Sequence, residues 1–153
     1  MIATSNLYTT APLLAAPPKV KSVFTGSSGP SLQLDYNGLH ASFRIQVNNT
    51  RRLFFFEQDV FQKVQFKNEY GVAIGQLVFT RPNSGVIKLD EKRYRFLLSR
   101  NNSQLTLPDL PAGEAPFTLS LTHEQEAELD AAHRKAFVYC LVFAFTYALS
   151  RVQ

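Results

Sequence analysis

The sequence predicts a mainly β protein with one C-terminal helix: a curved antiparallel β-barrel of about ten strands around a central hydrophobic α-helix. Short runs of β-branched and aromatic residues alternate with Gly, Asn, Asp and Pro, which favour turns. Several runs alternate apolar and polar residues with period two, as in an antiparallel sheet with one wet face. An apolar run without charged residues, residues 136–150, follows the predicted strands. No long helical pattern separates the strands, so a parallel βαβ design is not expected.

Each predicted strand is a short run that ends at residues suited to tight turns. In the third run, Phe43, Ile45 and Val47 share one face, and the polar residues between them share the other. Gly75 interrupts the longest run, which predicts a β-bulge or bend there. The ten runs are Lys19–Phe24, Leu32–Tyr36, Ala41–Val47, Arg52–Glu57, Val60–Lys67, Val72–Thr80, Val86–Leu89, Arg93–Ser99, Gln104–Leu107 and Pro116–Leu121.

The length of 153 residues suits one domain with a substantial core. Residues 1–18 are rich in Thr, Ala and Pro and lack periodicity, so we expect a loose N-terminal arm. Residues 19–153 are predicted to form a single β-barrel domain that includes the C-terminal helix at about 123–151. Thr122 and Gln125 fit a capping box at the start of that helix, and acidic residues follow in its first turns.

The segment from Ala136 to Ser150 is apolar on every side of a helix, so it belongs in a protein core or in a bilayer. Fifteen residues give a rod of about 22 Å, against about 30 Å of hydrocarbon in a bilayer. We therefore expect a core helix that a closed or nearly closed barrel covers on all sides. A membrane span through Ala136 to Ser150 is the alternative, since Arg134 and Lys135 on one side and Arg151 on the other could reach the interfaces.

The cysteine content indicates a reducing compartment. Cys140 is the only cysteine, so no disulfide can form within the chain. The N-terminal residues lack the basic and apolar regions of a signal peptide. We therefore expect a cytoplasmic protein.

The sequence shows no pattern of catalytic or metal-binding residues. His40, His123 and His133 have no metal-ligand spacing and are expected on the surface. Cys140 lies within the apolar run, where a thiol is a small core residue rather than a nucleophile. We expect no enzyme activity, no cofactor and no metal.

The candidate binding residues are basic. Residues 31–107 hold eleven Lys or Arg against six Asp or Glu, and such a surplus attracts phosphates. The alternative is that these residues only solubilise the protein and protect strand edges. The candidates are Arg51 and Arg52, which precede three phenylalanines, and Lys88, Lys92, Arg93 and Arg95, which surround the turn at 90–92.

Two segments resemble the tubby C-terminal-like superfamily, which includes LURP-one-related proteins and phospholipid scramblases. The segment Phe66–Gly75 is similar to a strand-turn-strand of that family, with a Gly before an Ile-Gly pair. The segment Gly85–Leu89, which leads to Tyr94–Phe96, resembles a later hairpin. The resemblance implies a barrel threaded by a hydrophobic C-terminal helix. The first function we expect is a non-catalytic, tubby-like binding or scaffold module whose partner is an anionic phospholipid or another protein.

Two other functions are compatible with the sequence. One is a tail-anchored membrane protein with a cytoplasmic β-domain. The other is a nucleic-acid-binding β-barrel that uses Lys and Arg with exposed aromatic rings, although the alternation places most rings inside. A barrel that binds a small molecule is less expected, because the apolar helix would fill its lumen.

Overall fold

A computed structural model of the chain describes residues 19–25, 31–47, 49–59, 61, 63–100, 104–110, 117–118 and 130–150, with 19–25, 31 and 117–118 described by their backbone. The predicted N-terminal arm, residues 1–18, lies outside these residues.

The strands form one antiparallel sheet in which each strand lies beside the next one in sequence. Eight of them, β2 to β9, make a curled half-barrel, and β1 and β10 continue the ladder at its edges. Among the described residues no pairing joins β1 to β10. The sheet is therefore an open half-barrel there, and not the barrel of about ten strands that the sequence predicts. The strands are β1 (Lys19–Thr25), β2 (Ser31–Asn37), β3 (Ser42–Val47), β4 (Thr50–Gln58), β5 (Val64–Asn68), β6 (Ala73–Arg81), β7 (Ser84–Leu89), β8 (Lys92–Leu98), β9 (Gln104–Thr106) and β10 (Phe117–Thr118).

The period-two alternation places one face of the sheet against the core. In β3, Phe43, Ile45 and Val47 are buried while Arg44 and Gln46 are exposed, as predicted. The same alternation in β2, β5, β7 and β8 directs apolar residues inward. The fully buried large residues on the strands of the sheet include Leu32, Leu34, Tyr36, Phe54, Phe66, Leu77, Ile87 and Phe96.

A β-bulge lies next to Gly75, as the sequence predicts. Phe66 pairs with Gly75 but Lys67 pairs with Ala73, so Ile74 is the extra residue in β6. A Cβ atom at position 75 would lie 3.0 Å from the Phe143 ring. Glycine therefore lets the sheet bend while the helix approaches it closely.

The helix α1 runs from Ala131 to Ser150 and begins later than the predicted start at about 123. The Asp130 side chain accepts a hydrogen bond from the His133 backbone N–H at 2.8 Å, which is the bond of an N-cap residue. Asp130 is therefore the N-cap residue of α1. The predicted capping box at Thr122 and Gln125 lies outside the described residues.

The second half of α1 is buried on every side, since Cys140 to Leu149 are all buried and span more than two turns. Its aromatic rings contact several strands: Phe143 packs on Phe66 with ring centroids 4.4 Å apart and on Phe54 at 5.0 Å. The Thr146 hydroxyl donates to the Val142 carbonyl at 2.8 Å, which satisfies the buried hydroxyl within the helix.

Candidate functional site

The turns of the sheet lie at its two opposite ends. Because the strands are antiparallel and consecutive, the turns after β3, β5 and β7 lie at one end, here called the β7–β8 end. The turns after β2, β4 and β6 lie at the other, here called the β6–β7 end. Helix α1 starts at the β6–β7 end, because Phe137 packs against Tyr36 near the end of β2 and Tyr139 packs against Phe79 late in β6.

The β7–β8 hairpin brings two cations directly opposite each other. Lys88 of β7 pairs with Arg93 of β8 in the ladder, and both side chains are exposed. Lys92 adjoins them as the first residue of β8. The two turn residues, Asp90 and Glu91, both have positive φ, 51° and 71°. This pattern is the type I′ turn that matches the twist of a two-residue hairpin.

Three of the predicted site residues are held in ion pairs. Arg95 forms an ion pair with Asp109, with the Arg95 Nη2 atom 2.8 Å from Oδ1. The Arg95 backbone N–H also donates to Oδ2 of Asp109 at 2.7 Å. These bonds from Arg95 hold the pKa of the Asp109 carboxyl below its ordinary value. Arg52 bonds Glu69 at 3.1 Å, and Arg51 lies 3.9 Å from Asp35.

The structure therefore separates the candidates into two groups. Arg51 and Arg52 are neighbours in β4, so their side chains point to opposite faces and do not form one site. Lys88 and Arg93 form one exposed cationic pair, and none of the acids in the described part of the chain makes an ion pair with them. Lys92 precedes Arg93 in β8, so its side chain points to the opposite face. We call Lys88 and Arg93 the hairpin cluster.

Exposed apolar residues lie at the same end as the hairpin cluster. Tyr70 and Val72, in the turn after β5, are 83% and 55% exposed. Val72 and Lys88 line one shallow groove of about 460 Å³ that forms where β6 bulges. Asp90 and Glu91 line it too, so this surface combines cations, acids and exposed apolar groups.

A second concavity opens at the β6–β7 end, and the sequence does not predict it. This cleft has a volume of about 450 Å³. The β6 residues and the helix residues that form it are more than fifty positions apart in sequence, and only the packing of α1 on β6 joins them. Its lining residues are Phe79, Thr80, Arg81, Pro82, Leu98, Lys135, Val138 and Tyr139.

A buried tyrosine and a histidine meet near the start of α1. The Tyr36 hydroxyl and His133 Nδ1 share a hydrogen bond of 2.9 Å, and a Cβ atom at Gly38 would collide with both side chains. The sequence predicts His133 on the surface. In the structure it is instead half-buried and hydrogen-bonded to Tyr36. Burial, with smaller effects of Cys140 and Asp130, raises the pKa of the Tyr36 phenol far above its ordinary value.

The Tyr36 phenol makes stability depend on alkaline pH. An unfolded tyrosine loses its proton near pH ~10, whereas the folded protein keeps Tyr36 neutral beyond that pH. The unfolded chain then binds fewer protons than the native one, so the free energy of unfolding should fall as pH rises above about 10.

Urea unfolding of the wild type and of Tyr36→Phe at pH values between about 8 and 11 checks this. The mutant should be less stable near neutral pH, because it loses the bond to His133. Its stability should also fall less with alkaline pH than that of the wild type. If the free energy of unfolding fell equally with pH in the two proteins, Tyr36 would ionise equally in the folded and unfolded states, which would contradict the prediction.

The described residues offer neither a reactive thiol nor a metal centre. Cys140 is fully buried, and burial raises the pKa of its thiol well above the ordinary value, which disfavours the thiolate that nucleophilic chemistry needs. Among the described residues, no three His, Cys, Asp or Glu side chains are grouped so that they could hold a metal ion.

Within the same residues, no helix combines the length and the hydropathy that crossing a membrane requires. Comparisons with models of protein families, with curated proteins and with solved structures find no match to this chain.

Proposed function

We propose that this protein is a non-catalytic, tubby-like β-barrel module that binds anionic phospholipid head groups through the hairpin cluster. The observation that carries the proposal is the direct opposition of Lys88 and Arg93 on an exposed face. Like charges opposite each other destabilise a sheet, and no described acid pairs with either. A bound phosphate would relieve that repulsion.

The surroundings of the hairpin cluster suit a lipid surface better than a free anion. Val72 shares a groove with Lys88, and Tyr70 is exposed in the same turn. Tyrosine is favoured at membrane interfaces because its ring is apolar and its hydroxyl is polar. Cations beside such residues are attracted to an anionic leaflet by about 1 kcal/mol each.

The finer architecture is also part of this proposal: a β-barrel wrapped around α1 and kinship with the tubby-like superfamily. All-round burial of Cys140–Leu149 supports it, because a flat sheet covers only one side of a helix. Contacts of Phe143 with β3, β4 and β5 support it as well. With the lumen filled by a helix, binding surfaces must lie outside the barrel or at its ends.

Vesicle co-sedimentation of the full chain tests the lipid function. We expect binding to vesicles with phosphatidylserine at low salt, weaker binding as salt rises, and no binding to neutral phosphatidylcholine. Neutralising Lys88 and Arg93 together, as Lys88→Gln with Arg93→Gln, should lower the partition coefficient about 30-fold, since each charge contributes about 1 kcal/mol.

The matched control is Arg44→Gln with Lys63→Gln, which removes the same two charges from exposed residues away from the hairpin cluster. Equal losses in both double variants would mean that net charge alone attracts the protein, and the hairpin cluster would not be the site. Tyr70→Ala should weaken binding at high salt more than at low salt, because its contribution is apolar.

Two outcomes would favour the other functions. Retention of the protein in membranes after carbonate extraction, lost on deletion of 134–153, would indicate a tail anchor. Binding to single-stranded RNA with a steeper salt dependence than vesicle binding would indicate a nucleic-acid-binding barrel instead.

A further inference from the structure

The cleft at the β6–β7 end has an apolar floor that the core holds in place. Phe79 meets the buried Phe96 edge-on, with ring centroids 5.1 Å apart, and Tyr139 at 5.6 Å. Val138 and Leu98 complete the floor. Rings fixed on two sides cannot turn away, so the floor is ready to accept an apolar group without rearrangement.

Two cations stand at the opening of this cleft. Arg81 ends β6 and Lys135 lies in the second turn of α1, and both are exposed. Among the described residues that line the cleft none is acidic, and neither cation makes an ion pair with a described acid. Two described carboxylates at this end of the sheet accept hydrogen bonds from backbone N–H groups. Asp59 accepts from the N–H groups of Phe61 and Lys63, and Asp130 caps α1.

We infer that this cleft binds a single-chain anionic amphiphile, with a carboxylate at Arg81 and Lys135 and an apolar chain on Phe79, Val138 and Tyr139. Its volume of about 450 Å³ lies within the range of ~300–1,000 Å³ found for small-molecule sites. Such sites combine an apolar lining with a few polar groups that fix orientation. An anion without a chain would leave the floor bare, and a neutral chain would leave both cations unpaired.

The cleft is independent of the hairpin cluster. It lies at the opposite end of the sheet and shares no residue with the groove at Val72 and Lys88. The two sites can therefore succeed or fail separately in experiments, and the hairpin variants serve as controls for the cleft.

Titration of the ¹⁵N-labelled full chain with decanoate, below its micelle concentration, tests the inference by NMR. We expect saturable shifts of the amide signals around Val138, Tyr139 and Arg81. Decanol should bind more weakly because it lacks the charge, and acetate should produce no saturable shift because it lacks the chain. Equal affinities for decanol and decanoate, or shifts spread evenly over the surface, would overturn the assignment.

Charge variants locate the head group. Arg81→Gln with Lys135→Gln should weaken decanoate binding about tenfold or more while leaving decanol binding unchanged. Arg134→Gln, next to Lys135 but outside the cleft lining, and the double variant Lys88→Gln with Arg93→Gln are the controls and should bind decanoate normally. A loss as large in either control as in the cleft variant would contradict the inference.

Discussion

Replacing Phe143 by alanine is expected to lower the free energy of unfolding by about 4–5 kcal/mol. The Phe143 ring is fully buried and contacts rings on three strands: Phe66 at 4.4 Å, Phe54 at 5.0 Å and Phe43 at 5.7 Å. Phe→Ala changes in cores cost about 3–5 kcal/mol, and each lost ring pair adds to that cost. The value is at the upper end because the surrounding rings come from different elements and cannot collapse together.

Urea unfolding followed by far-UV circular dichroism measures this loss. Phe61→Ala is the matched control, because Phe61 is 80% exposed and its truncation should change stability by less than about 0.5 kcal/mol. If the Phe143→Ala protein does not accumulate, Phe143→Leu retains most of the apolar volume and should remain folded at a smaller loss. A loss below about 2 kcal/mol for Phe143→Ala would mean that the helix does not depend on this cluster of rings.

Local patterns were sufficient to predict much of the fold. The alternation around Ile45 and the interruption at Gly75 depend only on neighbouring residues, so the strand and its bulge could both be predicted. The start of α1 could not be predicted as well. Several residues before Ala131 suit a helix start, and the sequence alone does not single out Asp130 as the cap.

The candidate sites depend on register and on contacts between distant residues, which the sequence does not display. Lys88 and Arg93 face each other only because a two-residue turn sets the β7–β8 pairing. A slip of one residue would place them on opposite faces. Tyr36 and His133 are 97 residues apart, so the sequence around this half-buried, hydrogen-bonded histidine does not distinguish it from a surface histidine.

The same packing explains why the candidate sites lie at opposite ends of the sheet. Aromatic side chains from β3, β4 and β5 pack against the second half of α1, where Cys140 to Leu149 are all buried. The first half of α1 is less buried, and Val138 and Tyr139 remain half-exposed beside β6. The cleft therefore arises where the helix emerges from the aromatic core.

Replacing Gly85 by alanine is expected to cause the second large loss of stability, because β6 and β7 lie very close together at this residue. A Cβ atom at Gly85 would overlap the Val78 carbonyl and lie 2.9 Å from the Phe79 Cα atom. These are backbone atoms, so no side-chain rotation can relieve the clash. Gly85→Ala must therefore separate β6 from β7, which also displaces Phe79 from the floor of the cleft. Overpacking usually costs about 1–3 kcal/mol, and a backbone clash within a ladder should cost about 3 kcal/mol or more.

Gly71→Ala is the control for Gly85→Ala, because both variants restrict the unfolded chain equally. Gly71 has a φ of 78° but no atom lies within 4 Å of a Cβ placed there. Its substitution should cost only the strain of a left-handed alanine, about 1–2 kcal/mol at most. Thermal unfolding of both variants compares the two costs directly. Since Gly71 has the unfavourable φ and Gly85 has the crowding, a larger loss at Gly71 would show that backbone conformation outweighs strand contact in this sheet.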